Sequence, residues 1–209
     1  NLPAFDEVAR QCHMAVEPLT RIKLLNSLLL DSQPIVLADS EGFVAAAYQQ
    51  IDSVTVVRSF ATALEQTAEG FVFVSNRYLP QLNEQSNLLA LRPRNLAVGI
   101  GCNRDTTADE IDMVVHQILR DAFLAFASIG IVASIDAKQD EVGLLKFAEH
   151  NRLPLHFYSA GELNVISTPT PASDYVQKAV GAKGVCEPAA VLAASGGRLL
   201  VKKKKHGNV

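Results

Sequence analysis

The chain has 209 residues, of which 48% are hydrophobic and 20% are charged. This apolar fraction is that of a globular protein and excludes a disordered chain, and the length suits one large domain or two small ones. The net charge is −3, although four of the nineteen basic residues lie together at positions 202–205. An acidic body with one short basic segment argues against a nucleic-acid-binding protein, because neutralising phosphates requires a broad basic face.

Two interpretations remain open for the lysine run at 202–205. Charge runs are usually solvated chain segments, and the alternative is contact with an anionic ligand.

The cysteines indicate the cellular setting. Cys12, Cys102 and Cys186 lie far apart without a C-x-x-C pair, which predicts neither a disulfide framework nor a zinc ribbon. We therefore expect a reducing, cytoplasmic location.

Neither a membrane span nor a protein-held metal is expected. No stretch of about 18 apolar residues occurs, and no cluster of His, Asp and Glu has the spacing of metal ligands. The chain starts at Asn1, without Met and without a secretory signal. We expect it to be part of a longer protein.

Hydrophobic periodicity predicts alternating helices and short strands in the first part of the chain. Helices are predicted at residues 2–14, 19–30 and 59–66, and strands at 34–38, 54–57, 70–74 and 88–91. This alternation indicates a small α/β domain. The polar, proline-containing segment 92–95 separates two apolar strands and is the predicted domain boundary.

A more regular alternation follows this boundary. Strands are predicted at residues 96–102, 129–135, 155–158 and 198–201, and helices at 107–127, 140–150, 159–162 and onward, 172–180 and 188–194. Thr107 with Glu110 and Ser159 with Glu162 have the capping-box spacing that starts a helix. The pattern predicts a three-layer α/β/α sandwich with a mixed sheet, so that the chain as a whole comprises two small α/β domains.

The loop that follows the predicted strand 96–102 has the features of an anion site. Its glycines let the backbone approach a ligand, the next helix directs free N–H groups at it, and Arg104 suits a carboxylate. Five candidate ligand-binding residues follow: Gly99, Gly101, Cys102, Asn103 and Arg104. Arg104 replaces the third glycine of the dinucleotide fingerprint and no P-loop signature occurs, which argues against a nucleotide site. The alternative is a tight turn with a surface arginine.

Two further loops combine a lysine with a carboxylate before a helix. Lys138 and Glu141 follow a predicted strand and are candidates for an electrophile and a base. The alternative is that Asp140 caps the helix and Glu141 complements its dipole. Lys183 and Glu187 lie in a glycine-containing loop, with the same alternative for Glu187.

Cys102 also has two interpretations. A helix start and a nearby arginine lower the pKa of a thiol, which would make Cys102 a nucleophile. No histidine is placed in the sequence to act as its partner, so a lone, small, buried cysteine without a chemical role is favoured.

Several segments together resemble a known family. VGIGCNRDTTADEI, SIDAKQDEVGLLKFAEHNRLPLHFYSAGEL and VGAKGVCEPAAVLAASGGRLLVKKKKHGNV resemble the C-terminal domain of the cobalamin-biosynthesis CbiG proteins and of the shorter CobE proteins. NLPAFDEVA and the residues up to LRPRNLAVGIGC resemble the end of the CbiG N-terminal region and its middle domain. The resemblance implies that residues 1–16 end an N-terminal domain or form its linker helix, that 17–93 form the middle domain, and that 94–209 form the C-terminal domain.

This resemblance implies a cobalt-precorrin-5A hydrolase of the anaerobic route to cobalamin. Such an enzyme opens the δ-lactone of a cobalt-corrinoid intermediate and releases acetaldehyde. It implies no cofactor, since the cobalt belongs to the substrate. The implied partners are the corrinoid intermediate and other enzymes of the cobalamin pathway. The alternative is that the chain is a non-catalytic corrinoid-binding or structural part of that enzyme.

The positions that match the family's motifs are Gly99, Gly101, Cys102, Arg104, Lys138, Glu141, Gly143 and Glu187. Lactone opening requires a base, and Glu141 and Glu187 are the candidate catalytic residues. Arg104, Lys138 and Lys183 are candidate clamps for the carboxylates of the substrate. N–H groups that follow Gly101 are candidate donors to the developing oxyanion.

Overall fold

The structure is a computed structural model that describes residues 2–80 and 85–209. The chain divides into two compact units, one that ends at Arg94 and one that begins at Asn95. This division falls inside the polar segment 92–95. Among the described residues, no helix combines the length and the apolar character that crossing a membrane requires.

The first unit is built on a five-stranded sheet. Its elements are α1 (Phe5–Gln11), β1 (Met14–Glu17), α2 (Ile22–Leu30), β2 (Ile35–Asp39), β3 (Val54–Val57), α3 (Phe60–Leu64), β4 (Gly70–Val74) and β5 (Leu88–Pro93). The strand order is β1-β5-β4-β2-β3, in which only the β1–β5 pair is antiparallel. The interior strands β2 and β5 are buried along their whole length, which is why most of their residues are apolar.

The segment before α2 belongs to the core of this unit. Phe5 and Ala9 of α1 are fully buried, and the Phe5 ring stacks on Tyr48 with 4.9 Å between centroids. The prediction of one helix over residues 2–14 was wrong at its end. The chain reverses at His13, with a φ of 54°, and Met14 starts β1 on the edge of the sheet.

The second unit is built on a three-stranded sheet with the order β6-β7-β8. Its elements are β6 (Leu96–Gly99), α4 (Ala108–Asp121), β7 (Ile129–Ile135), α5 (Val142–His150), β8 (Leu155–Tyr158), α6 (Ala160–Asn164), α7 (Asp174–Val180) and α8 (Cys186–Ala193). β7 is central and pairs in parallel with both neighbours. β6 is therefore an edge strand, and its carboxyl end leads into the loop that carries the candidate anion site.

Two apolar clusters cover the two faces of this sheet, so the predicted three-layer α/β/α architecture is confirmed. Val132 packs with Ile111 of α4 and Phe147 of α5 on one face. The next residue, Ala133, packs with Ala189 of α8 on the other face. The alternation of buried side chains along β7 gives each face its own core.

Two details of the second unit differ from the sequence expectation. The described strands of this sheet are all parallel, and the mixed sheet is that of the first unit. The predicted closing strand at 198–201 does not form. Its apolar residues pack against neighbouring elements without joining a ladder, since Val201 contacts the cluster around α4 and α5.

Candidate functional site

A cavity of about 970 Å³ lies at the carboxyl end of β6, within the second unit. Three regions contribute most of its lining: the stretch 95–104, the helices α4, α7 and α8, and the segment 197–205. Its size is in the range of small-molecule sites, and its place beyond a strand's carboxyl end is where ligands bind in α/β proteins. We call residues 198–209 the basic strap.

Gly99 brings α8 against β6 and so shapes the wall of the cavity. A Cβ atom on Gly99 would lie 1.8 Å from the backbone carbonyl oxygen of Cys186, at the first turn of α8. Gly101 has more room, because its Cβ would lie 3.7 Å from Val185. Both glycines line the cavity, but only Gly99 is required by helix packing.

Gly143 has a comparable packing role on the other side of the sheet. A Cβ atom there would lie 1.8 Å from the backbone oxygen of Thr106. This contact sets the first turn of α5 against the start of α4. Gly143 is absent from the lining of the cavity.

Four charged side chains join the loop after β6 to the loop after β7. Arg104 donates to Asp140 at 2.5 Å and to the carbonyl oxygen of Ala137 at 3.1 Å. Lys138 donates to Glu141 at 3.1 Å. Arg104 and Asp140 are exposed, whereas Lys138 and Glu141 are buried. The hydrogen bond from Arg104 holds the pKa of Asp140 below its ordinary value.

Glu141 uses both carboxylate oxygens inside this cluster. Oε1 accepts the backbone N–H of Asp105 at 2.8 Å, and Oε2 accepts Lys138. Asp105 has a φ of 62°, an unusual conformation that this hydrogen bond supports. Glu141 is the N-cap residue of α5, but it makes no side-chain capping bond, and Asp140 does not cap the helix either. Glu141 does not line the cavity.

Glu187 lies in the first turn of α8 and lines the cavity, although only 4% of it is exposed. Its carboxylate accepts the hydroxyl of Thr170 at 2.5 Å, the backbone N–H of Thr170 at 3.2 Å and the backbone N–H of Lys203 at 2.7 Å. Burial raises the pKa of Glu187, but these hydrogen bonds outweigh burial and the pKa is lowered. The group therefore stays ionised at neutral pH.

The basic strap was the part of the site that sequence analysis left undecided. Its end is held at the loop after β6, where Asn103 donates its backbone N–H to the carbonyl of Asn208 at 2.8 Å and its side-chain amide to Asn208 at 3.0 Å. Val201 and Val209 pack against the core beside α4. The four lysines between these contacts line the cavity.

The charge of the lining is strongly positive. Among the described residues, seven basic side chains and one acidic side chain, that of Glu187, contribute to it; the basic residues are Arg104, Lys138, Arg198, Lys202, Lys203, Lys204 and Lys205. Arg104 and Lys138 are paired with acidic side chains, as described above. Arg198 and the strap lysines form no ion pair with any residue in the described ranges. Their charge is available to an anion.

The structure brings most predicted site residues together and leaves two apart. Seven of them line the cavity: Gly99, Gly101, Cys102, Asn103, Arg104, Lys138 and Glu187. Lys183 is exposed and outside the lining; its backbone N–H is bound to Asn164. Within residues 2–80 and 85–209, no three His, Cys, Asp or Glu side chains are grouped as metal ligands.

Cys102 lines the cavity, and burial raises the pKa of its thiol above the ordinary value, with Lys138 acting in the opposite direction. The thiol is thus protonated at neutral pH, which favours the interpretation without a chemical role.

We expect Cys102 to react with iodoacetamide at pH 7 more slowly than the exposed Cys12 of the same chain, because only the thiolate is alkylated. Mass spectrometry of tryptic peptides over a time course measures both rates in one sample. Faster labelling of Cys102 than of Cys12 would restore the nucleophile interpretation.

Comparison with known proteins decides the family. The family model described as "Cobalamin synthesis G C-terminus" matches residues 96–209, more than half of the chain, and that described as "Cobalamin biosynthesis central region" matches residues 3–93. The chain belongs to the CbiG family. The resemblance found in the sequence motifs is confirmed.

Three relatives illustrate the extent of the similarity. A cobalt-precorrin-5A hydrolase of Priestia megaterium is 40% identical over 153 residues, which cover 72% of this chain and 41% of the relative. A protein of the same name from Salmonella typhimurium is 29% identical over 202 residues, or 93% of this chain and 55% of the relative. Protein CobE of a Sinorhizobium species is 34% identical over 110 residues, or 52% of this chain and 71% of the relative. The chain thus spans about half the length of the two hydrolases.

Proposed function

We propose that this chain acts in cobalamin biosynthesis as part of a cobalt-precorrin-5A hydrolase, and that its second unit binds the cobalt-corrinoid substrate. Membership of the CbiG family and the names of its relatives support this proposal. The cobalt arrives with the substrate. A cytoplasmic location and contacts with other enzymes of the pathway are part of the same proposal.

The observation that carries the proposal is the positive lining of the cavity. Corrinoid intermediates have acetate and propionate side chains, which are carboxylates at neutral pH. Arg198 and the strap lysines have no acidic partner among the described residues, and Arg104 exposes its guanidinium beside them. Charge-assisted hydrogen bonds to carboxylates are the strongest that such side chains make.

The loop after β6 offers the donors that lactone opening requires. When water adds to the lactone carbonyl, negative charge builds on the carbonyl oxygen before the ring C–O bond breaks. Gly101 and Cys102 line the cavity, and their backbone N–H groups have no hydrogen-bond partner within the described part of the chain. We propose these two groups as the oxyanion donors.

Lactone opening also needs a base that accepts the proton of the attacking water, and neither of the two predicted glutamates is well suited to this role. Glu141 lies outside the cavity lining, with both oxygens bonded. Glu187 lines the cavity, but its lowered pKa makes it a weak base. The contacts of both side chains favour a holding role over proton transfer.

Acetaldehyde release from cobalt-precorrin-5A tests the proposal. The 209-residue chain is assayed beside the Priestia megaterium relative, whose activity shows that the substrate preparation is intact. We expect this chain to release acetaldehyde. Arg104→Ala should raise KM about tenfold, because loss of one charge-assisted contact weakens binding by about that factor. Lys146→Ala should leave KM unchanged. Lys146 is an exposed residue of α5, outside the cavity lining.

The second candidate is a corrinoid-binding part without its own chemistry. It is favoured by the hydrogen bonding of Glu141 and Glu187, since both oxygens of each side chain already accept hydrogen bonds within the described part of the chain. Corrinoid binding by this chain without acetaldehyde release, alongside an active relative, would establish it. Neither binding nor release would remove both candidates.

A further inference from the structure

We propose that Glu187 and Glu110 are positioning residues that hold the basic strap across the cavity, so that lysines 202–205 form a binding site for a ligand with several carboxylates. This inference rests on the proposed function, and it identifies the basic strap as the segment that selects ligands with several carboxylates. Neither glutamate needs to touch the ligand to play this role.

The first anchor is at Glu187. Its carboxylate accepts the backbone N–H of Lys203 at 2.7 Å, in the middle of the lysine run. It also accepts the hydroxyl and the backbone N–H of Thr170. The negative charge is thus satisfied by backbone and hydroxyl donors, and it is not in an ion pair with a lysine side chain of the strap. The strap is tied down while its ammonium groups stay available.

The second anchor is at Glu110, near the start of α4. The sequence predicts a capping box here, and one half of it forms, because Thr107 accepts the backbone N–H of Glu110 at 3.2 Å. The Glu110 carboxylate bonds with the strap instead. It accepts the backbone N–H of Asn208 at 3.0 Å and the side-chain amide of Asn208 at 3.3 Å. Asn103 adds two bonds to the same residue.

The two anchors leave little freedom to the strap segment between them. Only four residues separate Lys203 from Asn208, the two positions that are bonded to α8 and α4. A Cβ on Gly207 would lie 2.7 Å from Oε1 of Glu110, so the strap passes close to the helix there. Binding therefore orders few additional residues, which lowers the entropic cost of clamping a ligand.

The affinity of Glu187→Gln for an anion distinguishes a purely electrostatic role of Glu187 from a positioning role, because the two roles predict changes of opposite sign. Glu187→Gln removes the one acidic side chain that the described residues contribute to the cavity lining, so a purely electrostatic site would bind an anion more tightly. If Glu187 positions the strap, the same substitution releases Lys203 and weakens binding. The sign of the change separates the two.

The experiment uses the 209-residue chain and three probes: cobyrinic acid, which is a cobalt corrin with free carboxylates, its methyl ester, and citrate. Affinities are measured by titration calorimetry, and limited trypsin digestion follows cleavage after residues 202–205. The anchor variants are Glu187→Gln and Glu110→Gln. Matched controls are Glu149→Gln and Asp109→Asn, which remove a charge from α5 and from the first turn of α4 at exposed side chains without a described partner.

We expect both anchor variants to bind cobyrinic acid about tenfold more weakly and to be cleaved about tenfold faster in the strap, since each loses charge-assisted hydrogen bonds. The controls should change by less than about twofold. If Glu187→Gln does not fold, as judged by circular dichroism, Glu110→Gln decides, because its side chain is only half-buried.

Tighter or unchanged binding by the anchor variants, or unchanged cleavage, would overturn the inference. Binding of citrate but not of cobyrinic acid, with both anchor effects present, would keep the strap as a carboxylate site and remove the corrinoid from the proposed function. No binding of either acid by the unchanged chain, or equal binding of the methyl ester, would remove the strap's role.

Discussion

Replacing Gly99 by alanine is expected to lower the free energy of unfolding of the second unit by about 3 kcal/mol, at the upper end of the usual cost of overpacking. The added methyl group would lie 1.8 Å from the carbonyl oxygen of Cys186 and 2.9 Å from the backbone nitrogen of Ala190. Both neighbours are backbone atoms of α8, so no side-chain rotation relieves the contact. The whole helix must move away from β6, and the cavity wall moves with it.

Gly101→Ala is the matched control, two residues further along the chain in the loop that follows β6. Its Cβ would meet only the side chain of Val185, at ordinary van der Waals distance. We expect a change of no more than about 0.5 kcal/mol. Urea unfolding, with hydrogen exchange of the α8 amides to identify the transition of the second unit, measures both variants. Equal stability of the two variants would show that α8 is not seated on β6 as described.

Replacing Glu141 by alanine is expected to cost about 3–5 kcal/mol, the range found when one partner of a buried ion pair is removed. Only 3% of the Glu141 side chain and 11% of the Lys138 side chain are exposed, so Lys138 would be left as a buried charge without a partner. The backbone N–H of Asp105, in its left-handed conformation, would lose its acceptor as well.

The control for this effect is Asp140→Ala, which breaks an exposed ion pair with Arg104 and is expected to cost far less. A double variant, Lys138→Met with Glu141→Leu, tests whether the loss of stability in Glu141→Ala comes from the unpaired charge of Lys138. Because it removes both charges and keeps apolar volume, it should regain most of the lost stability. Thermal unfolding checks this order. Full stability of Glu141→Ala would contradict the holding role.

Local sequence was sufficient for most of the secondary structure. The strands β3, β4, β7 and β8 have the predicted bounds, because each is a short apolar run between turn-forming residues. Ser159 and Glu162 form the predicted capping box, whose bonds join residues three positions apart. Bonds between residues so close in sequence depend only on the types of those residues, so the start of the helix can be predicted from them. The family is likewise recognisable from contiguous motifs.

Three features depended on contacts that no local pattern contains. Residues 198–201 have a strand-like composition, yet they join no ladder and line the cavity, where Val201 packs against the core beside α4. Glu110 matches a capping box, yet it bonds with Asn208, 98 positions away. Glu187 matches a helix-dipole residue, yet it holds Thr170 and Lys203.

The physical reason is the same in each case. A carboxylate can accept several hydrogen bonds, and which donors reach it depends on how helices and loops pack around it. Residue types and short spacings therefore determined the helices, the strands and the family of this protein, whereas the partners of its buried carboxylates followed from packing. That packing decided that the lysine run lines a cavity, where the sequence had left a solvated segment as the simpler interpretation.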